Sequence, residues 1–236
     1  MTPREPHYQH VLRVPAIAPW TGETPLSAQL TRRWLPALGG EGIGYVDEQP
    51  ADRHRGLLWK RVPEAEGKGR AQLGLVHGPR QRRAMNEKLC QVCFAPAAAS
   101  VGEPLLFIAA GDTPNTAGER MTQPPVHKEC AEDAVRDCPH LGDVYSAALV
   151  ERTSSWGVAG LIYHPETLKP LPVQRGNGLT LVPYTSPAAR LRWTLAAQEV
   201  ITVHRCTPVR LDELPTESET AGARRLGPGT GAARCP

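Results

Sequence analysis

Leu89-Cys90-Gln91-Val92-Cys93, then Val126-His127-Lys128-Glu129-Cys130, then Asp137-Cys138-Pro139-His140-Leu141: these segments hold four of the chain's six cysteines and two of its eight histidines. The first is a CxxC and the second an HxxC, with 33 residues between them. Cysteine and histidine pairs at this spacing are what a tetrahedral metal site needs, because each pair can place two donor atoms on one ion. A CxxC turn supplies one pair. The first turn of a helix supplies the other, since residues i and i+3 are neighbours on its surface.

Six residues compete for four positions: Cys90, Cys93, His127, Cys130, Cys138 and His140. Cys138 lies eight residues beyond Cys130, about 12 Å along a helix at ~1.5 Å per residue, too far to share the same ion. It falls instead on the apolar face with Ala131, Ala134 and Val135, where a cysteine packs as a small hydrophobe. The expected ligands are therefore Cys90, Cys93, His127 and Cys130, a Cys₃His site for a structural Zn²⁺. A knuckle joined to a helix's first turn is the plan of a treble-clef-like or ribbon-like zinc module. A thioredoxin-type redox CxxC is disfavoured, because Phe94-Ala95-Pro96 follows it and no helix begins there to activate a thiol.

Working outward, the flanks read as short strands and a few short helices. Prolines (24) and glycines (22) are abundant in 236 residues, which favours many turns over long helices. Strands are expected over 42–47, 57–62 and 72–77 as an antiparallel meander, and over 104–110 as a buried strand. Hairpins are expected from 145–151 with 156–163, and from 171–173 with 179–184. Helices are expected over 27–38 (Leu30, Trp34 and Leu38 at i, i+4, i+8), 79–88, 127–138 and 187–203. Trp20, Trp34 and Trp59 are expected in the core. The predicted class is α+β with mainly antiparallel strands. Its expected parts are a β-rich region at 1–88, the zinc module at 89–141, hairpins plus a helix at 142–212, and a disordered tail at 213–236.

The net charge is +3 with a pI near 8.6. That balance permits an anionic partner but is too mild for a protein that coats DNA. The cations concentrate beside the metal pattern: Arg80, Arg82, Arg83 and Lys88 stand within ten residues against one acid, Glu87. This segment is the expected phosphate-facing surface, toward DNA or RNA. The N-terminus lacks the apolar stretch of a signal peptide, and no run is long enough to span a bilayer. No membrane association is expected. A cytoplasmic setting with reduced thiols is, and it suits metal ligation.

The run Pro124-Pro125-Val126-His127-Lys128-Glu129-Cys130-Ala131, preceded by Leu89-Cys90-Gln91-Val92-Cys93 and followed by Cys138-Pro139-His140-Leu141, resembles a group of actinobacterial and phage proteins. These share CxxC, then PPxHxxCA, then CPxL. The similarity spans about fifty residues and implies zinc at the four positions named, without an activity to carry over.

Three functions are compatible with the pattern. One is a zinc-stabilised binding module associated with nucleic acid. A second is a scaffold for another protein with a purely structural zinc. The third, a zinc-dependent hydrolase or nuclease, is the weakest, because four ligands leave no open position and no HExxH, HxE…PCxxC or His-Asn-His arrangement occurs.

Overall fold

A computed structural model of the chain describes residues 6–9, 12–98, 100–113, 116–138, 141, 144–173 and 178–215. In chain order the strands and α-helices are β1 (Tyr8–Gln9), β2 (Leu12–Arg13), β3 (Leu30–Leu35), β4 (Gly40–Tyr45), β5 (Arg53–His54), β6 (Leu57–Trp59), α1 (Gly78–Glu87), β7 (Leu105–Ala110), β8 (Arg120–Met121), α2 (Lys128–Asp137), β9 (Tyr145–Ile162), β10 (Thr180–Pro183), α3 (Ala188–Leu191) and β11 (Thr194–Val209). The fold is α+β with mostly antiparallel strands, as the sequence predicts.

Its spine is the antiparallel pair β9–β11, in register from Thr194↔Ile162 to Val209↔Ala147. Two bulges interrupt it, leaving Ala197 and Trp156 unpaired; such extra residues bend a strand and increase its twist. Each long strand carries two short ones along its outer edge. β7 and β10 follow one another along β9, and β6 and β8 along β11, with only β6 parallel. Between β6 and β8 the edge of β11 is open at Glu199, and a side chain closes it. The Gln81 carboxamide donates to Glu199 O (2.9 Å) and Thr122 O (2.7 Å) and accepts from Glu199 N (2.9 Å). One amide side chain thus stands in for a strand, satisfying backbone groups that would be costly to bury unpaired.

α1 covers this seam. Met85 packs with Phe107, Met121, Ile201 and Val203 on one side of β7, while Leu106 and Ile108 face the metal-ligand region with Val126, Cys130 and Ala131. Phe107 is fully enclosed, a burial that stabilises by roughly 1.5–3 kcal/mol. Gly78 opens α1 because a Cβ there would run into the carbonyl oxygen of Ala197, the bulged residue of β11.

Several expected elements differ. Residues 27–38 contain β3, not a helix, paired with β4 from Leu30↔Tyr45 to Leu35↔Gly40. The helical spacing of Leu30, Trp34 and Leu38 is coincidental, and Trp34 is 70 % exposed; Trp20 and Trp59 are buried as expected. The helix expected over 187–203 shrinks to α3, a single turn, and β11 takes the rest. Val200-Ile201-Thr202-Val203 is a β-branched run, and neighbouring strands supply ladder partners that outweigh the helical pattern. Residues 72–77 form turns, not a strand. The polar Arg152-Thr153-Ser154-Ser155, read as a hairpin turn, runs straight through the middle of β9. The 171–173 segment does not partner 179–184; β10 pairs with β9. His140, Gly176, Asn177 and the tail from 216 onward lie outside the described residues. No helix among the described residues is long and apolar enough to cross a membrane.

Candidate metal centre

The CxxC sits in a tight knuckle immediately after α1. Lys88 ends that helix in the left-handed region (φ 54°), and Leu89 pairs with Pro96 across the knuckle. Inside it, Cys90 N donates to Ala95 O (2.7 Å) and Phe94 N donates to Cys90 O (2.9 Å). Phe94 takes φ +63°, a conformation that favours glycine. A side chain there has a compensating use: the ring is buried with Ala16, Ile17, Ala84 and Leu89, beneath the Arg83 guanidinium.

The second half arrives on the segment before α2. Gln91 N donates to Pro125 O and Val126 N donates to Leu106 O, both at 2.9 Å, so this segment is pinned between the knuckle and β7. His127 is the N-cap residue of α2, and Cys130 lies in the first turn. The result is a four-residue cluster of Cys90, Cys93, His127 and Cys130 whose ligand atoms all lie within 4.8 Å of one another. These are the four residues the spacing selects, and together they could hold a metal ion.

The imidazole is oriented for that role. Its Nδ1 lies 3.2 Å from Cys93 Sγ, and its Nε2 is 2.8 Å from Pro96 O. Nε2–H donation to a carbonyl leaves Nδ1 as the inward, ligating nitrogen, the usual outer-shell arrangement of a metal-bound histidine. The electrostatics have one cause, crowding of four donors. Contacts with Cys130, Cys93 and His127 hold the Cys90 thiol well below its ordinary range. The same contact with Cys90 pushes Cys130 upward. Cys90 and Cys93 raise His127 to about 11. A divalent ion bound there would displace the protons the cluster holds, since ligands bind deprotonated.

Cys138 caps the far end of α2. It is half-buried and lines a cleft with Ala134, Leu141 and Ile108, rather than being enclosed in the core.

The four basic residues do not form one surface. Arg80 is a correction: it is 6 % exposed and its guanidinium forks onto Glu23 (Nη2–Oε2 2.7 Å) while also donating to Ala18 O (2.8 Å). It points inward because the unpaired Glu23 carboxylate, 1 % exposed, would otherwise be a buried charge. Arg83 is exposed and pairs with Glu87, Lys88 is exposed, and Arg82 is half-buried over the Trp59 ring.

Sequence reasoning missed a second polar cluster around Glu199. The signal available was a single acid inside the apolar run Val200–Val203 and its preceding residues, an anomaly for a strand. Its partners, Ser155 and Tyr184, are distant in the chain and carry no mark of their role. The fold and site together define an α+β protein built around a Cys₃His cluster of metal-ligand type. Comparison with known protein families, curated proteins and solved structures finds no match to this chain.

Proposed function

We propose that the cluster holds a structural Zn²⁺ and that the protein is a zinc-braced binding module with nucleic acid as its partner. The observation that carries the zinc reading is the closed donor set, three sulfurs and one Nδ1 from two separate segments. Thiolate-rich tetrahedral sets select zinc, and four protein ligands leave no position for substrate. A zinc here ties the end of α1 to the start of α2, fixing two elements that otherwise meet only through short hydrogen-bonded turns. The resemblance of these segments to the actinobacterial and phage pattern points to the same assignment.

Support for nucleic acid comes from the mildly basic chain and from the exposed Arg83 and Lys88 at the end of α1 beside the centre, with Arg82 half-buried over Trp59. Arginine and aromatic side chains lie together at Arg82–Trp59 and Arg120–Trp156 (4.4 and 4.5 Å), and single-strand binding surfaces draw on both kinds of group. The test is a titration of single- and double-stranded DNA and RNA at rising salt, with metal content measured alongside. One zinc per chain and a log–log salt slope are expected, each lost phosphate contact lowering that slope by roughly 0.7–0.9. A protein without bound metal, or one with no salt-sensitive association at low ionic strength, refutes the corresponding half.

A second reading, a scaffold for another protein, is favoured by one feature. An apolar cleft of about 310 Å³ lies beside the knuckle, lined by Ile17, Leu75, Val92, Ile108 and Cys138.

A further inference from the structure

At the seam of α1 and the sheet lies a polar cluster that neither the zinc site nor the core packing requires. The Glu199 carboxylate, fully buried, accepts from Ser155 Oγ and from Tyr184 Oη, each at 2.8 Å. Ser155 Oγ accepts in turn from Arg55 Nη1 at 2.7 Å. Arg55 lies over the Tyr184 ring (4.9 Å) and Arg82 over the Trp59 ring (4.4 Å), with His54 edge-on to Trp59 at 6.2 Å.

Hydrogen-bonding capacity here is unbalanced. Both carboxylate oxygens of Glu199 are taken, and no ion pair joins Arg82 to any described acid. The Arg82 guanidinium donates to no described residue. Trp59 Nε1 and His54 Nε2 are buried without a partner. His54 is held low by burial and by Arg82, so its ring is neutral and Nε2 can carry the proton. Two guanidinium groups, an indole N–H and an imidazole therefore surround a single carboxylate that is already satisfied. The surplus is of donors and of positive charge, and what it lacks is an acceptor-rich anion.

Arg55 (φ +52°) and Gly56 (φ +78°) form the two-residue turn that joins β5 to β6, which places the Arg55 side chain at a hairpin tip. The β9 bulge adds Trp156 next to Ser155, and bulges are over-represented beside functional sites. Arg55 and Ser155 are exposed while Arg82 and Tyr184 are half-buried, so the cluster can be approached from solvent.

We propose that Arg82, Arg55 and Trp59 form a phosphate-binding site, with the Glu199–Tyr184–Ser155 network as its fixed floor. Arg82 turns from the indole face to fork onto the phosphate, and the unpartnered Trp59 Nε1–H is the further donor. Glu199 holds Ser155 and Tyr184 in place, and Ser155 holds Arg55. The phosphate is free or part of a nucleic acid, and in the second case the inference rests on the functional reading above.

The test uses the full chain, inorganic phosphate followed by ³¹P NMR and calorimetry, and a ten-nucleotide oligothymidylate followed by anisotropy. Arg82→Lys keeps charge and stem but loses the fork, and Trp59→Phe keeps the ring but loses the N–H. Arg210→Ala, an exposed arginine paired with Asp212 at the far end of β11, is the control, and thermal melts verify folding of each variant. Saturable phosphate binding weakened about tenfold or more by Arg82→Lys, several-fold by Trp59→Phe and unchanged by Arg210→Ala is the expected result. Phosphate binding without oligonucleotide binding upholds the site and removes the nucleic-acid reading. Oligonucleotide binding that phosphate does not compete with and Arg82→Lys does not weaken overturns the site while leaving that reading intact. Absence of saturable phosphate binding by the wild type, or equal binding by both variants, also overturns it.

Discussion

Replacing Glu23 with Gln isolates the energy of a buried ion pair and gives it a pH signature. Burial alone would raise the Glu23 carboxyl. Hydrogen bonds from Arg80 and from the N–H groups of Trp20 and Ala65 overcome that and hold it down to about 2, against an ordinary 4.5. A difference of that size corresponds to about 3 kcal/mol at 1.36 kcal/mol per pH unit. The group is depressed, so its stabilisation is fully present above the unfolded value near 4.5 and disappears as pH falls toward 2. Glu23→Gln resembles the protonated state and leaves Arg80 buried without its counter-charge, a loss of roughly 3–5 kcal/mol at pH 7. Urea denaturation of wild type and variant at pH 7, 5, 4 and 3 should show a stability gap of about that size at pH 7, narrowing steadily below pH 5. Acid-driven loss of a metal held by the cluster would affect both proteins alike and cancel in the difference. A gap below about 1 kcal/mol at pH 7, or one that stays constant down to pH 3, refutes the reasoning.

Cys90→Ser or Cys130→Ser should abolish stoichiometric zinc and lower the melting temperature sharply, whereas Cys138→Ser should retain one zinc per chain, as read by metal analysis and thermal melts. Gln81→Leu strips partners from the backbone of Glu199 and Thr122 and should destabilise by roughly 2–4 kcal/mol, with faster hydrogen exchange at the Glu199 amide; unchanged exchange would show that water replaces the carboxamide. Arg83→Ala breaks only an exposed helix pair with Glu87 and a ring contact, and should change stability by about 1 kcal/mol or less in chemical denaturation.

The candidate metal centre was legible because its four residues come in two local pairs, and pair spacing is a property of adjacent residues. Cys90 with Cys93 and His127 with Cys130 needed no knowledge of the sheet, and α1 and α2 were readable from proline, capping and periodicity for the same reason. The elements that were misread depend on distant partners. Residues 187–203 carry Leu191, Leu195, Ala196 and Val200 at spacing that suggests a helix, yet from Thr194 onward their conformation is decided by β9, β6 and β8. The inward turn of Arg80 likewise depends on Glu23, 57 residues away. Charge runs specify that cations are present; only the fold specifies which of them meet water. The Glu199 cluster draws on five separate segments, so no window of sequence contains it.

The parallel pairing of β6 with β11, Leu58 opposite Leu195, has a consequence for how the chain is made. A ribosome that has emitted Leu58 must add well over a hundred further residues before the partner strand exists, roughly 7–30 s at 5–20 residues per second. During that interval Leu57, Leu58 and Trp59 have only the two-residue strand β5 to pair with, and the seam that α1 closes is missing. The knuckle and α2 are complete by residue 138 and can assemble the four-residue cluster early, while the outer edge of β6 waits. Nascent chains of this protein should therefore depend on chaperones through the middle of synthesis and become protease-resistant abruptly once β11 has emerged.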